Sequence, residues 1–571
     1  MGEGRGRVQE APSPFSALLE SPKGRPLLAL KKRVGIYGWG IVAPRSPDVA
    51  SFEANLEGTS TWLTPFEGFG PSTFLVGQPE FDFHRYRGWI DARFKPNRFP
   101  QLEHKMGAPS LFAIGAFIQA LEQNPGLEQT LQELGAEAQV LVGTGLGDLI
   151  TQYDCSLEYY YAQRRWDRFW ADSARNEDRR TYEGASTEER ARLQAAWGIP
   201  QDPREKSGEE EAVELSRAAW NAFWMRRSDG LRSFLVEFDL IESVGVSGEI
   251  EAGKLGLIRQ KKTHLSKLEQ RWACPTPPWR AVSANLVWNI PNTPASQISM
   301  LGRITGPAWA PVAACSTFGV CLKLAFDAIQ SGDARAVVIG ASDPPPHPLF
   351  VSGFFQGRIL CADRKASLPL TDLRGTHLAG GACIWIVGEH DFMASRGHRP
   401  LGLEIIGVGA TSDAEHIITP SERGPQECIR RALASAGIDG GDVGTWDLHA
   451  TATPGDYSEI RNLRAVVPRA MAVTARKGTF GHGMSVAGGW ELTAQHLGIV
   501  KGKLFPSPLS ASDLNEHIRN VPYDYVLDVP RPAPQGAAGK LSMGIGGINA
   551  CVISRRWEDA PRATPSGGEG S

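Results

Sequence analysis

One cysteine of this chain is placed where it could act as a nucleophile. Cys315 lies in the run PVAACSTFGVCLKLAFDAIQSGD, and the apolar residues after it recur at helical spacing, so a helix of about 16 residues is predicted to begin there. The dipole and free N–H groups of a helix N-terminus favour a thiolate. The neighbouring residues are small and leave room for a substrate: Ala313, Ala314, Ser316 and Gly319. A lone cysteine is usually a structural thiol, but one at a tight turn into a helix is a candidate nucleophile.

Two histidines lie in small-residue loops that follow predicted strands. His449 stands in WDLHATATPGDYSE, and His482 stands in ARKGTFGHGMSVAGGWEL, with Lys477 five residues before it. The run MGIGGIN, residues 543–549, adds a glycine-rich loop whose backbone N–H groups can be directed at an oxygen. A single loop histidine is usually a surface residue, but two in similar loops indicate a site. Together these groups combine a candidate nucleophile with a loop that could stabilise an oxyanion.

Composition argues against several other classes of protein. The 571 residues are 42% hydrophobic and 22% charged, which is typical of a globular protein of two or three domains. Lys and Arg number 60 against 63 Asp and Glu, for a formal charge of -3, so no nucleic-acid partner is expected. No apolar run reaches the roughly 18 residues of a membrane span, and no secretory signal is recognised, so we expect a cytoplasmic protein. The eight cysteines show no CxxC spacing, and no metal site is predicted.

Strands alternate with helices over most of the chain, which predicts a mostly parallel sheet covered on both faces. The predicted strands lie in 33–44, 138–148, 334–342, 382–390, 401–410, 445–451, 470–476 and 539–556. The turn GTGLGD, residues 143–148, lacks the spacing of a nucleotide-binding loop.

Residues 151–280 differ in character, because they are rich in Trp, Tyr, Arg and Glu. Amphipathic helices are predicted over 186–197, 208–227 and 251–271, so this segment is interpreted as an inserted helical subdomain. Its Trp side chains either pack the insertion on the main body or line a channel or a partner surface. A basic cluster is either a solvated helix face or a surface for an acidic partner: Arg259, Lys261, Lys262, His264 and Lys267.

The set and order of these motifs resembles the β-ketoacyl synthases, the condensing enzymes of fatty-acid and polyketide synthesis. The likeness rests on ACSTFG around Cys315, DLHATATPGD around His449, KGTFGH with a following AGG around His482, and GIGGINA at the C-terminal loop. It covers residues 33–150 and 281–556.

The resemblance implies an α/β fold of the thiolase-like kind, with five layers (α-β-α-β-α) built from two βαβαβ halves and, here, an inserted mainly helical subdomain. The implied division is a flexible arm at 1–32, an N-terminal half at 33–150 and 281–391, a Trp-rich insertion at 151–280, a C-terminal half at 392–556 and a disordered tail at 557–571.

The resemblance also implies a role for each site residue. Cys315 would carry an acyl group, His449 and His482 would hold the malonyl thioester carbonyl while CO2 leaves, and Lys477 would support His482. The oxyanion hole and gate would be formed by Cys315, Ile545, Met543 and Gly546. Thr451 and Thr453 would contact the phosphopantetheine arm. Ile114 and Phe354 fall where the family shapes its acyl pocket. Both could equally be ordinary core residues.

Partners and cofactors follow from the same likeness. An acyl carrier protein or coenzyme A would supply the phosphopantetheine, and no bound cofactor or metal is expected. A homodimer is the usual assembly, with a heterodimer of two ketosynthase-like subunits as an alternative. The implied reaction is a decarboxylative Claisen condensation. Alternatives are an acyltransferase or malonyl decarboxylase on the same scaffold and, from another class, a non-enzymatic scaffold whose Trp-rich insertion binds a partner.

Two departures from the family pattern bear on the site. Met543 and Ile545 stand where the family often has Phe, which affects gating and acyl preference. In RGTHLAGGA, residues 374–382, Gly380 stands where an acidic residue is expected. Lys477 is therefore predicted to lack its usual carboxylate partner.

Overall fold

The strands of the protein are seen in a computed structural model that describes residues 31–70, 74–245 and 250–557. Nearly all of the predicted arm (1–32) and tail (557–571) lies outside the described residues. The strands within those ranges are β1 (Val34–Val42), β2 (Thr64–Pro65), β3 (Leu75–Val76), β4 (Ala138–Gly143), β5 (Ala308–Trp309), β6 (Ala336–Asp343), β7 (Gly381–Glu389), β8 (Glu404–Ser412), β9 (Val443–Asp447), β10 (Ala472–Thr474), β11 (Lys503–Leu504), β12 (Asp524–Tyr525), β13 (Arg531–Pro532), β14 (Ala537–Gly544) and β15 (Ile548–Arg555).

The helices of the described ranges lie between these strands. They are α1 (Val49–Leu56), α2 (Arg87–Asp91), α3 (Arg98–Lys105), α4 (Ala108–Glu122), α5 (Leu127–Leu134), α6 (Leu149–Ala171), α7 (Glu177–Gly184), α8 (Thr187–Trp197), α9 (Glu210–Arg227), α10 (Asp229–Glu242), α11 (Ile250–Trp272), α12 (Pro278–Ala281), α13 (Asn285–Trp288), α14 (Thr293–Gly302), α15 (Thr317–Ser331), α16 (Pro348–Gln356), α17 (His390–Ser395), α18 (Arg423–Ala436), α19 (Gly455–Val466), α20 (Lys477–Phe480), α21 (Ala487–Val500) and α22 (Glu516–Arg519). None of them has the length and apolar composition needed to cross a membrane.

The main sheet contains the same strand arrangement twice. Its order is β12-β10-β9-β14-β15-β8-β1-β7-β6-β4-β5. In one half β1 pairs antiparallel with β7, β7 antiparallel with β6, and β6 and β5 pair parallel with β4. The other half repeats those relations, with β8, β15, β14, β9 and β10 in the places of β1, β7, β6, β4 and β5. The halves meet where Val34 of β1 pairs with Ile405 of β8.

This pairing corrects two sequence predictions. The sheet is mixed rather than mostly parallel, because each half carries two antiparallel pairs beside its parallel ones. The predicted strand at 539–556 is a hairpin of two strands, β14 and β15, whose turn spans residues 545–547. A strand that is buried on both faces is a continuous apolar run, whether it pairs parallel or antiparallel. Its sequence therefore carries little information about its partner or their relative direction.

Helices α15 and α21 form the middle layer between the two halves of the sheet. Helix α15 contacts β4 and β6 of one half and β8 and β15 of the other, while α21 contacts β7, β9 and β14. Every residue of α21 from Ala487 to Ile499 is buried. On the outer faces, α4 covers β1, β6 and β7, and α18 covers β8, β14 and β15. The predicted five-layer α/β fold of two equivalent halves is confirmed.

The insertion occupies the crossover from β4 to β5, which α14 completes. Helices α8, α9 and α11 coincide with the three amphipathic segments, while the 23-residue α6 was not predicted. The Trp side chains pack these helices on one another in two clusters, one built on Trp166, Trp170 and Phe234 and the other on Trp220 and Trp224. These Trp residues thus form a core of the insertion itself.

Candidate active site

Cys315 lies in a tight turn between β5 and α15. The 3-10 turn Ala314–Ser316 precedes the helix, and Ala314 adopts a left-handed φ of 47°, which turns the chain sharply at the thiol. The Ser316 hydroxyl donates to the Ile548 carbonyl at 2.7 Å, which fastens the turn to β15. The backbone N–H groups of Ile545 and of Cys315 itself lie close enough to the sulfur to act to lower the pKa of the Cys315 thiol. The structure therefore places two backbone donors beside a single thiol.

The thiol is buried, with 6% of its surface exposed. Burial raises the pKa of Cys315 to about 11, and the charge of Lys477 and the N–H of Ile545 offset only part of this rise. The sequence expectation that the helix N-terminus favours a thiolate is therefore outweighed. At neutral pH the resting group is a protonated thiol.

His449 is held on both sides of its peptide unit. It follows β9, and a carboxylate of α19 fixes the loop: Glu459 Oε1 accepts from the His449 N–H at 2.7 Å, and Oε2 accepts from the Ala450 N–H at 2.8 Å. Lys477 Nζ donates to the His449 carbonyl and lies 3.4 Å from Nδ1. Because an ammonium group can only donate, Nδ1 is the acceptor and the ring proton belongs on Nε2.

His482 follows β10 and is fixed by its backbone. Its N–H donates to the His377 carbonyl at 2.6 Å, and its carbonyl accepts from Ala379 at 2.9 Å. Its ring centroid lies 5.5 Å from that of His449, with the planes at 85°. Burial, and then the charge of Lys477, lowers the pKa of both imidazoles well below the usual range. Both rings are therefore neutral N–H donors at physiological pH.

Lys477 has a carboxylate partner, so the prediction based on Gly380 is wrong. Its Nζ lies 2.6 Å from Glu491 Oε1 on α21, with both side chains almost fully buried. The run RGTHLAGGA has two adjacent glycines at this point, Gly380 and Gly381. A side chain fits at neither glycine, because a Cβ would lie 2.1 Å from the Pro344 carbonyl oxygen at Gly380 and 2.1 Å from that of Val42 at Gly381.

The predicted gate is the tip of the β14–β15 hairpin. Ile545 is half-buried, Gly546 is exposed with φ 93°, and the Gly546 N–H donates to the Ile417 carbonyl at 2.7 Å. Met543 lies instead within the buried cluster that contains Leu448. The structure thus brings Ile545 to the thiol and places Met543 in the core of the C-terminal half.

Thr451 and Thr453 lie in the loop after His449. Both are half-buried, and their hydroxyl oxygens are 3.0 Å apart. The buried carboxylate of Asp456 supports this loop by accepting N–H bonds from Leu370 and from residues 451–453. Burial raises the pKa of Asp456 to about 6.

The two predicted pocket residues lie in different buried clusters. Ile114, on α4, packs in a cluster with Phe99 and Leu301. Phe354, on α16, belongs to the cluster that contains Met484, two residues after His482. Leu146 joins that cluster from the GTGLGD turn. The structure therefore does not bring Ile114 and Phe354 together.

Asp343, at the end of β6, was also missed. Its buried carboxylate accepts N–H bonds from Gly145 and Leu146 at 3.0 Å and from Ser485 at 2.9 Å. It joins the glycine-rich turn after β4 to the loop after His482. A single acidic residue at the end of a strand is common in any sequence, so only the turn GTGLGD itself could have indicated this contact.

Two family models match the chain. The β-ketoacyl synthase N-terminal domain matches residues 244–391, and the C-terminal domain matches 403–509. The 3-oxoacyl-[acyl-carrier-protein] synthase 2 of Rhizobium meliloti (strain 1021) is 30% identical over 277 residues, and that of Staphylococcus aureus (strain COL) is 29% identical over 279. Each alignment covers 47% of this chain, and spans 65% and 66% of the two relatives, just under two thirds of their length.

Solved structures share the fold. The ishigamide ketosynthase/chain length factor and a β-ketoacyl synthase from Burkholderia phymatum STM815 both superpose with a TM-score of 0.61, at 18% and 17% identity. Both superpositions cover 92% of this chain, and they cover 100% and 99% of the two solved chains. The five layers and the duplicated sheet thus define a thiolase-like fold. The two β-ketoacyl synthase domain models and the curated relatives match the parts of the chain that carry this fold.

Proposed function

We propose that this protein is a β-ketoacyl synthase that condenses a Cys315-bound acyl group with a malonyl thioester. The observation that carries the proposal is the convergence of a thiol, two backbone donors and two neutral imidazoles around Lys477. Fatty-acid or polyketide synthesis is the setting that the family suggests.

The first step is acylation of Cys315. The thiol loses its proton, and its sulfur forms a bond to the carbonyl carbon of an acyl thioester. The N–H groups of Cys315 and Ile545 stabilise the oxyanion of the tetrahedral intermediate. The C–S bond to the donor then breaks, and the leaving thiolate takes up a proton.

The second step is decarboxylation of the malonyl group. The bond between its α-carbon and its carboxylate breaks, CO2 leaves, and the electron pair forms an enolate. The Nε2–H of His449 and a ring N–H of His482 donate to the enolate oxygen, which is where negative charge develops. The α-carbon then forms a bond to the acyl carbonyl carbon, the C–S bond to Cys315 breaks, and the thiol regains its proton.

Thr451 and Thr453 suit a phosphopantetheine arm, because their hydroxyls are half-buried in the loop that presents His449. The arm would belong to an acyl carrier protein or to coenzyme A, so the reaction needs no resident cofactor or metal. One solved neighbour, AntDE:AntF, is an acyl-carrier protein in complex with its ketosynthase. An acyl carrier protein is accordingly the donor proposed here, in a cytoplasmic pathway.

A homodimer is proposed through the free edge of the main sheet. Strand β5 is the last strand of the sheet, and apolar side chains near it are exposed: Met300, Trp309 and Val312. An unpaired edge with an apolar surface favours pairing with a second chain. A second ketosynthase-like chain is the alternative occupant of this edge.

Intact-protein mass spectrometry tests the proposed reaction. The protein is incubated with acyl carrier protein and coenzyme A thioesters, then with malonyl carrier protein. We expect an acyl mass increment that is lost in Cys315→Ala, followed by a carrier-bound β-ketoacyl product. His449→Ala and His482→Ala should retain acylation and lose decarboxylation. Acylation of the Cys315→Ala protein would overturn the nucleophile assignment, and acylation without any condensed product would favour an acyltransferase.

A further inference from the structure

A second buried lysine lies behind the site and plays no part in the mechanism above. Lys540, on β14, has 1% of its side chain exposed. Its Nζ donates to the carbonyl oxygens of Leu541 at 2.8 Å and Leu448 at 3.2 Å. It also lies 2.7 Å from Glu491 Oε2 and 3.8 Å from Asp447 Oδ1. Burying an ammonium group is costly without such partners, so this lysine occupies a site built for a cation.

Glu491 lies between two lysines. One carboxylate oxygen faces Lys477 at 2.6 Å, and the other faces Lys540 at 2.7 Å. Glu491 accepts a hydrogen bond from Lys477 at Oε1 and forms an ion pair with Lys540 at Oε2, so its orientation toward Lys477 depends on the second cation. Lys477 in turn donates to the His449 carbonyl and lies close to Nδ1, so its position affects the imidazole of His449.

The two lysines also hold consecutive carbonyls of the loop that carries His449. Lys540 binds the carbonyl of Leu448, and Lys477 binds that of His449. The opposite side of the same loop is held by Glu459. The backbone before the imidazole is thereby fixed by charged groups from β14, α19 and α20.

We infer that Lys540 is a positioning residue for decarboxylation, acting through Glu491 on Lys477 and the imidazole of His449. This inference rests on the proposed function. Its expected signature is a split between the two half-reactions: loss of Lys540 slows decarboxylation and spares acylation of Cys315.

Charge gives a second signature. Although burial acts to lower the pKa of the Lys540 ammonium, the carboxylates of Glu491, Asp447 and Glu459 raise it, so Lys540 stays charged. Burial lowers the pKa of His482 most, and the charges of Lys477 and then Lys540 lower it further. Lys477 and Lys540 lower the pKa of both imidazoles, and the other charged and titratable groups of the surrounding elements are Cys315, Asp343, His377, Asp447, Glu459, Arg476 and Glu491. Removing Lys540 raises the pKa of both imidazoles, because one nearby positive charge is lost.

The test uses the full chain and compares Lys540→Met with Lys540→Arg. Acylation of Cys315 is followed by mass spectrometry and decarboxylation by CO2 release from malonyl carrier protein across pH. In Lys540→Met we expect acylation within about threefold of wild type and decarboxylation slower by on the order of tenfold to a hundredfold. The acid limb of its decarboxylation profile should move to higher pH. Lys540→Arg keeps the charge and should leave that limb in place.

Glu404→Gln is the matched control for losing a buried ion pair. Glu404 is 2% exposed and pairs with Arg33 and Arg555 in the same sheet, away from the site. The Glu404→Gln variant should lower thermal stability without slowing decarboxylation relative to acylation. Wild-type decarboxylation by Lys540→Met, with an unmoved acid limb, would overturn the inference. Failure of the wild-type protein to acylate Cys315 would instead overturn the proposed function.

A double variant tests whether Lys540 acts through Glu491. Glu491→Gln and Glu491→Gln/Lys540→Met should decarboxylate within about threefold of each other, because Lys540 acts through Glu491. A further large loss in the double variant would contradict the inference.

Discussion

The reactivity of Cys315 is set by burial more than by its helix. The helix N-terminus and two backbone N–H groups favour the thiolate, yet desolvation raises the pKa of Cys315 to about 11. A protonated thiol is protected from adventitious alkylation. In the proposed reaction its proton leaves during acylation itself.

The alkylation of Cys315 by iodoacetamide should therefore depend steeply on pH. Only the thiolate reacts, and its fraction rises about tenfold per pH unit below the pKa. With the pKa raised to about 11, the rate should climb throughout pH 7 to 9 without a plateau. Mass spectrometry of the Cys315 peptide measures the alkylation rate, with Cys315→Ala as the blank. A plateau below pH 8 would contradict the burial argument.

At the scale of elements, the middle layer depends on small residues where α21 crosses α15. A Cβ at Gly489 would lie 2.7 Å from Phe318 Cδ2 and 2.8 Å from the Cys383 side chain. The glycine therefore permits the close approach that places both helices between the two halves of the sheet. These two helices follow the turns of Cys315 and His482, so their separation bears on the site.

Gly489→Ala should destabilise the protein, because overpacking a filled core costs about 1–3 kcal/mol. Gly256→Ala is the matched control. Gly256 lies in the interior of α11, where an added Cβ would meet open space, so alanine there should stabilise the helix by about 1 kcal/mol. Thermal unfolding of both variants measures the contrast. An unchanged or raised melting temperature for Gly489→Ala would show that the layers can separate at little cost.

At the scale of the whole molecule, the edge strand β5 bears on the proposed dimer, and the insertion precedes it in the chain. The insertion carries its own aromatic core, so it adds a folded unit to the β4–β5 crossover without disturbing the sheet. Strand β5 ends the sheet with Trp309 59% exposed.

Trp309→Lys should convert a dimer into a monomer, because a charge on an edge strand opposes pairing with another chain. Leu215→Lys is the control, since Leu215 is 61% exposed on α9 of the insertion. Light scattering after size-exclusion chromatography gives the mass of each variant. A dimer that survives Trp309→Lys would exclude this edge as the interface.

Local patterns were enough to identify the groups to which the proposed chemistry is assigned. Short motifs of small residues carry Cys315, His449, His482 and Lys477. Apolar periodicity located α8, α9 and α11. Turn chemistry and helical spacing act over a few residues, so a sequence carries them directly. The duplicated α/β fold followed from the resemblance that these motifs support.

Which distant residues meet depends on the tertiary structure. Lys477 pairs with Glu491, and the buried Lys540 lies behind this pair. Leu146, rather than Ile114, shares a cluster with Phe354. These contacts and the mixed sheet join segments that are far apart in the chain. The raised pKa of Cys315 and the lowered pKa of both imidazoles have the same origin, because desolvation depends on everything packed around a group. Short-range patterns in the chain determined which residues could react, and long-range packing set their partners, their charge and their orientation.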